Sequence, residues 1–509
     1  MKGLLGGIPT IRSQPPSTSG LAGVIAVAAL LLLPAASPAA SLNGNDFSLQ
    51  FTAAAGEANT LTIERAGAVY RFTDKAGITI TPTGTCSAAA NVGTCPVAQV
   101  SNIGAGLGDM NDTGTVAASI GSPVSSVNVA GGTGNDTLSS NGDTTNGVFL
   151  TGDEFGQPPG NDILVGGPGT ESLGAGGGND VMSGGDGDDF LSIEDGSDSL
   201  AGGPGRDAFT SGSDPDGPDA ISGGPGDDRV DLRSRTDDLL INLNGVADDG
   251  AGCPGPGCEG DNYGADLEDF SLGRGNDTLI GSPGNEFIGG GEGNDLLQGM
   301  GGNDSLQGDS GDDRLEGGAG ADFIITGNDA DLASGGAGDD TFHGDFFDDD
   351  TDRFGGGGGF DSFDSDVETT RESLQISLNG RADDGFRTSL REVPDDNVLA
   401  DIEDVVGGDG DDVLIGSRRP NQLSGLGGRD RLVGLGGQDA LLGGRGRDLL
   451  AGGKSADLLD GAGGPDLLRA RGGGSDELRC GSSLDRAKAD RSDRFGPDCD
   501  KVSLPRRRH

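Results

Sequence analysis

The chain reads as an all-β protein, a parallel β-roll (β-solenoid) of nonapeptide repeats with a β-rich N-terminal cap and a disulfide-fastened C-terminal cap. Three observations predict this fold: a nine-residue grid of acidic residues, glycine-rich turns between short apolar steps, and a composition too poor in large side chains for an ordinary core.

The grid carries most of the argument. Asp180, Asp189, Asp198 and Asp207 stand nine residues apart. A second run places Asp277, Glu286, Asp295, Asp304, Asp313, Asp322, Asp331 and Asp340 on the same spacing, and a third places Asp412, Asn421, Asp430, Asp439, Asp448, Asp457 and Asp466 on it. Chance does not sustain such a grid, and self-similarity at a fixed period is the signature of a repeat architecture. A longer period lies above it. Leu243-Asn-Gly-Val-Ala-Asp-Asp-Gly250 recurs as Leu378-Asn-Gly-Arg-Ala-Asp-Asp-Gly385, and Asp266-Leu-Glu-Asp-Phe270 as Asp401-Ile-Glu-Asp-Val405. Both offsets are 135 residues, fifteen nonapeptides, so the register survives the duplication.

Within a unit such as Gly290-Gly-Glu-Gly-Asn-Asp295-Leu-Leu-Gln298, the glycines permit positive φ and a tight turn. The residues after the aspartate form a short strand with Leu297 inward. Two units close one coil of 18 residues, and coils stack at roughly 4.8 Å. Alternate turns then share an edge: Asp277, Asp295, Asp313 and Asp331 on one, Glu286, Asp304, Asp322 and Asp340 on the other.

Composition bounds the function. The chain has 101 Gly among 509 residues, no Trp, and 83 Asp or Glu against 34 Lys or Arg, a formal charge of −49. Such a balance disfavours nucleic acid and anionic membranes as partners and favours cations. Composition alone would permit disorder; the periodicity argues against it.

The expected organisation follows the chain. Residues 1–40 read as a signal peptide, with Lys2 and Arg12 ahead of an apolar run, Leu21 to Leu33, and small residues near Ala39 and Ala40. That run is short for a membrane span of about 20 residues. Residues 41–130 alternate apolar and polar positions, as in Phe47-Ser-Leu-Gln-Phe51 and Leu61-Thr-Ile63, and form the N-terminal cap. Repeat arrays follow at 131–230, 273–364 and 407–476, separated by insertions at 231–272 and 365–406, the second a duplicate of the first. Residues 477–509 form the C-terminal cap and a basic tail. The six cysteines fall as local pairs, Cys86 with Cys95, Cys253 with Cys258 and Cys480 with Cys499, which in an exported chain read as disulfides. Zinc is disfavoured, because there is no CxxC spacing and only His343 and His509 could supply imidazole.

Stacked carboxylates a few ångströms apart repel unless a cation lies between them. Carboxylates with clustered carbonyl oxygens make a hard, all-oxygen environment suited to Ca2+ with its 6–8 flexible ligands, whereas Mg2+ demands stricter geometry. Gly184-Gly-Asp-Gly-Asp-Asp189-Phe-Leu-Ser192 is a full match to GGxGxDxUx, where U is a large apolar residue. The units resemble the RTX, or haemolysin-type, calcium-binding repeat, over about residues 131–476 apart from the insertions. The resemblance implies multiple Ca2+ ions held between successive turns on one edge. Carried over, the ligands are Asp136, Asp162, Asp180, Asp189, Asp198, Asp207, Asp228, Asp277, Asp295, Asp304, Asp313, Asp322, Asp331, Asp340, Asp412, Asp430, Asp439, Asp448, Asp457 and Asp466, with glycine carbonyls from turns such as Gly184–Gly187 and Gly335–Gly338.

Some units depart from the pattern. Ile193-Glu194 replaces an opening glycine pair, Asp329 takes a fourth position, and Asn421 replaces an acid. Arg429, Arg447 and Lys454 sit inside turns of the third array, where weaker calcium binding is expected.

No catalytic function is expected. There is no HExxH, Gly308-Asp-Ser-Gly311 and Gly452-Gly-Lys-Ser455 belong to the repeats, and acidic pairs such as Asp188-Asp189 recur too regularly for one preorganised site. The reading is a secreted calcium-binding protein with a structural or interaction role, the alternatives being a calcium-dependent cell-surface adhesin or an enzyme with an unrecognised site in residues 41–130. Cell-wall or surface polymers are candidate partners, and neither nucleic acid nor a membrane span after signal removal is expected. Its N-terminal leader points to the general secretory route, unlike the C-terminal signal that RTX proteins usually carry.

Overall fold

A short strand carrying one inward apolar residue cannot bury that residue alone, so successive coils must stack. In the computed structural model Leu279, Leu297, Leu315 and Ala333 form one inward column, and Ile288, Leu306, Ile324 and Phe342 form the facing column; all are 0–1% exposed. Each buried leucine contributes roughly 1.5–3 kcal/mol. The strands pair in parallel with an 18-residue offset, Leu297 opposite Leu315 and Leu306 opposite Ile324. The turns must be equally regular. Gly293 has φ +136°, and a Cβ there would lie 1.8 Å from the Gly275 carbonyl oxygen of the preceding coil. No side chain fits between coils at that point.

The structure describes residues 40–505 apart from 45–47, 78, 98–99, 119, 121–123, 142–146, 154–156, 214–216, 256, 345–350, 365–372, 382–383 and 388–395. The expected signal peptide, but for its last residue, and the basic tail Arg506–His509 lie outside the described residues. Among the described residues there is no helix, and hence none long and apolar enough to cross a membrane.

The roll has two faces. One is a single sheet of 22 strands; the other is divided into sheets of 11, 8 and 8 strands. The long face runs unbroken past both insertions, because Arg229–Asp231 pairs with Asp269–Ser271 and Ser362–Asp364 with Asp404–Val406. The segmented face breaks at each insertion. In the first, Leu239–Asn242 and Gly250–Ala251 form a hairpin that opens the second segment by pairing with Thr278–Ile280. The chain then turns back, and Asn262–Tyr263 closes the first segment against Ala220–Ser222. The second insertion repeats the detour. Ser373–Ser377 and Gly385–Arg387 open the third segment on Val413–Ile415, and Asn397–Val398 closes the second on Arg353–Gly358.

The β-rich N-terminal region is continuous with the roll. Val69–Asp74, Ser87–Ala89 and Val92–Pro96 pair antiparallel, together with Thr60–Ala66, and begin the segmented face. Ser48–Thr52 and Asn102–Gly108 already pair in parallel and lead into Ser126–Gly132. These coils lack glycine repeats, and their lengths vary, so no grid marks them. At the other end Glu477–Arg479 and Arg494–Phe495 extend the long face, while Arg486–Ala489 and Lys501–Ser503 extend the segmented one. The three expected disulfides are present: Cys86–Cys95, Cys253–Cys258 and Cys480–Cys499.

Candidate metal centre

Each turn presents its sixth-position aspartate to the turn before it. Asp295 Oδ1 accepts the backbone N–H of Asp277 at 2.7 Å, and the N–H of Asp295 in turn donates to Asp313 Oδ1 at 2.8 Å. The rung repeats from Asp313 to Asp331, and on the other edge from Asp304 to Asp322 to Asp340. The fifth position runs a second ladder in the opposite sense: the N–H of Asn294 donates to Asn276 Oδ1, and that of Asp312 to Asn294 Oδ1. Both ladders hold adjacent coils in register.

One carboxylate oxygen thus serves the backbone, and the other does not. Among the described residues Oδ2 is buried without a hydrogen-bond partner in Asp136, Asp162, Asp180, Asp189, Asp207, Asp228, Asp277, Asp295, Asp304, Asp313, Asp322, Asp340, Asp430, Asp439, Asp448, Asp457 and Asp466. Asp198 and Asp331 occupy rungs of the same ladders, receiving the N–H groups of Asp180 and Asp313. Asp412 differs, since its Oδ2 accepts the Gly408 N–H at 2.9 Å. All twenty sequence-selected aspartates are 0–4% exposed.

The unpartnered oxygens face a glycine cradle. A Cβ built on Gly290 would lie 2.4 Å from Asp295 Oδ2 and 2.8 Å from the carbonyl oxygen of Gly308, one coil on. The arrangement recurs at Gly184 with Asp189 and Gly202, at Gly317 with Asp322 and Gly335, and at Gly434 with Asp439 and Gly452. Carboxylate and carbonyl oxygens therefore converge where a side chain would otherwise stand. Among the described residues no three Asp, Glu, His or Cys side chains gather around one point, so carbonyls must complete any donor set. That all-oxygen set fits Ca2+.

The electrostatics point the same way. Burial pushes the Asp295 carboxyl up to about 7 and that of Asp313 to about 8; the N–H received from the preceding coil lowers each, and neighbouring carboxylates raise them. Burial likewise pushes Asp189 up to about 7 and Asp430 to about 9, against the backbone N–H each accepts and with neighbouring carboxylates adding to the rise. An unpaired buried carboxylate costs several kcal/mol, and a whole row of them calls for protons or a cation.

Sequence reasoning passed over several rungs. Asp219 and Asp361 receive the N–H groups of Asp198 and Asp340 across coils of 21 residues, three longer than the grid allows. Their Asp-x-apolar steps, Asp219-Ala-Ile221 and Asp361-Ser-Phe363, were the available signal. At the seams Glu268 and Glu403 replace aspartate, accepting from Asp228 and Asp361 at 2.8 and 3.2 Å. Asp112 and Glu171 extend the ladders upstream, and Asp476 and Asp485 downstream. In the third array Arg429, Arg447 and Lys454 are exposed, and none forms an ion pair among the described residues. What distinguishes its first turns is Asn421 and the engaged Asp412. Asn421 Oδ1 is taken up by the Ser417 N–H and hydroxyl.

A parallel roll with buried aspartates beside glycine carbonyls belongs to the class of calcium-binding repeat architectures. The RTX calcium-binding nonapeptide repeat family matches residues 159–191, 183–217, 215–234, 268–297, 289–324, 316–351, 406–441 and 434–468, so these stretches of the roll are RTX repeats. None of the curated proteins matches the chain.

Proposed function

We propose that the chain is a secreted, non-catalytic calcium-binding protein whose roll folds on meeting extracellular Ca2+ and then serves a structural or interaction role. The observation that carries this reading is the pair of edges lined with buried, unpartnered Oδ2 atoms beside glycine carbonyls. The ligands would be the twenty aspartates named above, with the cradle carbonyls; Asp412 and Asn421 make the start of the third array the weakest stretch. Bound calcium would supply positive charge and six to eight oxygen coordination between consecutive turns. Without it the carboxylates repel, and the turns cannot close at neutral pH. The leader at 1–40 and the low calcium of the cytosol would together confine folding to the outside of the cell. Affinities of about 10⁻⁴–10⁻³ M are expected of extracellular modules.

The test is a calcium titration of the chain from residue 41 onward, followed by far-UV circular dichroism with a magnesium control. A cooperative gain of β signal, reversed by chelator and absent with magnesium, is expected. A β signal already complete in chelator at neutral pH would overturn calcium-driven folding.

A further inference from the structure

Charge is distributed unevenly along this acidic chain. Of its 34 Lys and Arg, 18 follow residue 406, against 16 of its 83 Asp and Glu, so this part is close to neutral while the whole carries −49. Most of the acids in that stretch are spent on the ladders and buried, Asp430, Asp439, Asp448, Asp457, Asp466, Asp476 and Asp485 among them. The cations are on the outside.

They gather on the last three strands of the segmented face, Leu467–Ala470, Arg486–Ala489 and Lys501–Ser503. Parallel register sets Arg469 beside Lys488 and Arg486 beside Lys501. Arg486 and Lys488, two residues apart on one strand, share its outer side, while Ala487 and Ala489 between and beyond them face inward. Four exposed cations thus share one patch, its cross-strand neighbours one strand spacing, roughly 4.8 Å, apart. Among the described residues none of the four forms an ion pair. Nearby carboxylates are engaged with backbone: Asp490 Oδ2 accepts the Gly472 N–H, and Asp500 Oδ2 the Asp485 N–H. Like charges directly opposite on a sheet are destabilising, and this chain has abundant acids with which it could have offset them. The patch is retained at a cost to stability.

We propose that this face docks a linear anionic polysaccharide. The cations recur on three successive strands of one face, which suits a polymer carrying a charge on each sugar rather than a compact ligand needing a cavity. Duplex nucleic acid, with its denser charge, would be repelled more strongly by the acidic body of the roll.

The test uses the calcium-saturated chain from residue 41 onward, with chondroitin sulfate as probe and neutral dextran as control. Expected is binding to chondroitin sulfate, weakening as salt rises, and none to dextran. R469Q/R486Q/K488Q/K501Q should bind at least tenfold more weakly with an unchanged circular dichroism spectrum, and R274Q/R314Q should bind as the unaltered chain does. If the fourfold variant does not fold, R469Q/K488Q decides, with a loss of at least threefold expected. Unchanged affinity in whichever variant is read, equal retention on dextran, tighter binding to duplex DNA, or an oligomer that the substitutions dissolve would each overturn the proposal.

Discussion

The two insertions lie 135 residues apart and make the same detour with different fastenings. In the first, Asp249 is wholly buried; its Oδ1 accepts the Asn242 N–H at 2.7 Å and its Oδ2 the Tyr263 N–H at 3.1 Å. In the second, Asp384 does the same for Ser377 at 2.5 Å and Val398 at 2.9 Å. Each aspartate joins the strand that opens one segment of the face to the strand that closes the segment before it. The first insertion adds a buried ion pair, Arg235 with Glu259 at 2.6 Å, and the Cys253–Cys258 disulfide. Thr370 and Pro394 stand at the equivalent positions of the pair in the second, and Thr388 and Val393 at those of the cysteines. One carboxylate clasp is therefore common to both detours, and the rest is local reinforcement.

The largest effect should come from the ladders that both insertions interrupt. Their carboxyls are raised above the ordinary value by burial, Asp295 and Asp189 to about 7 and Asp313 to about 8. A raised folded value stabilises the fold below the unfolded value near 3.8, and that stability is lost as pH rises through the folded one. Metal-stripped protein should accordingly melt at falling temperature from about pH 4 upward until the transition is lost near neutral pH, and calcium should restore a folded state there. Thermal melts across that range check the sign; a melting temperature that rises with pH in the stripped protein would contradict it.

Next in size is the buried ion pair. Arg235→Met leaves Glu259 charged and buried, and should cost about 3–5 kcal/mol in urea unfolding of the calcium-loaded protein. Arg235→Met with Glu259→Leu should recover part of that loss. The same replacement has no counterpart in the second insertion, so the comparison would sharpen if local proteolysis increased only near residues 231–272.

The shared clasp should respond equally at both sites. Asp249→Ala and Asp384→Ala each leave two backbone N–H groups without an acceptor, at about 2–4 kcal/mol apiece. Unequal losses would show that the disulfide and ion pair share the load in the first copy. The smallest effect is Cys253→Ser with Cys258→Ser, about 2 kcal/mol for so short a loop, and a null result would make the staple dispensable for stability.

Much of this architecture was legible in the chain itself. The nine-residue grid implies an 18-residue coil, and the coil dictates which aspartates share an edge, because side chains stacked at one strand spacing must lie in columns. Leu297 and its equivalents had to point inward, since the second residue after the aspartate is apolar in unit after unit while its neighbours vary. Cysteines five to nineteen residues apart likewise pair locally with little freedom.

Only the tertiary structure decided the rest. That the long face continues past both insertions depends on Arg229 meeting Asp269 and Ser362 meeting Asp404, contacts with no periodic mark in the sequence. Asp249 and Asp384 recur in the duplicated block, yet nothing local distinguishes a clasp from a solvated loop acid, because their partners are backbone groups on strands far apart in the chain. The same limit hid Asp219, Asp361, Glu268 and Glu403, whose place in a row depends on where a longer coil comes to rest. Periodic short-range chemistry is written in the residues themselves, whereas a rung reached across an irregular loop exists only once stacking has brought its two halves together.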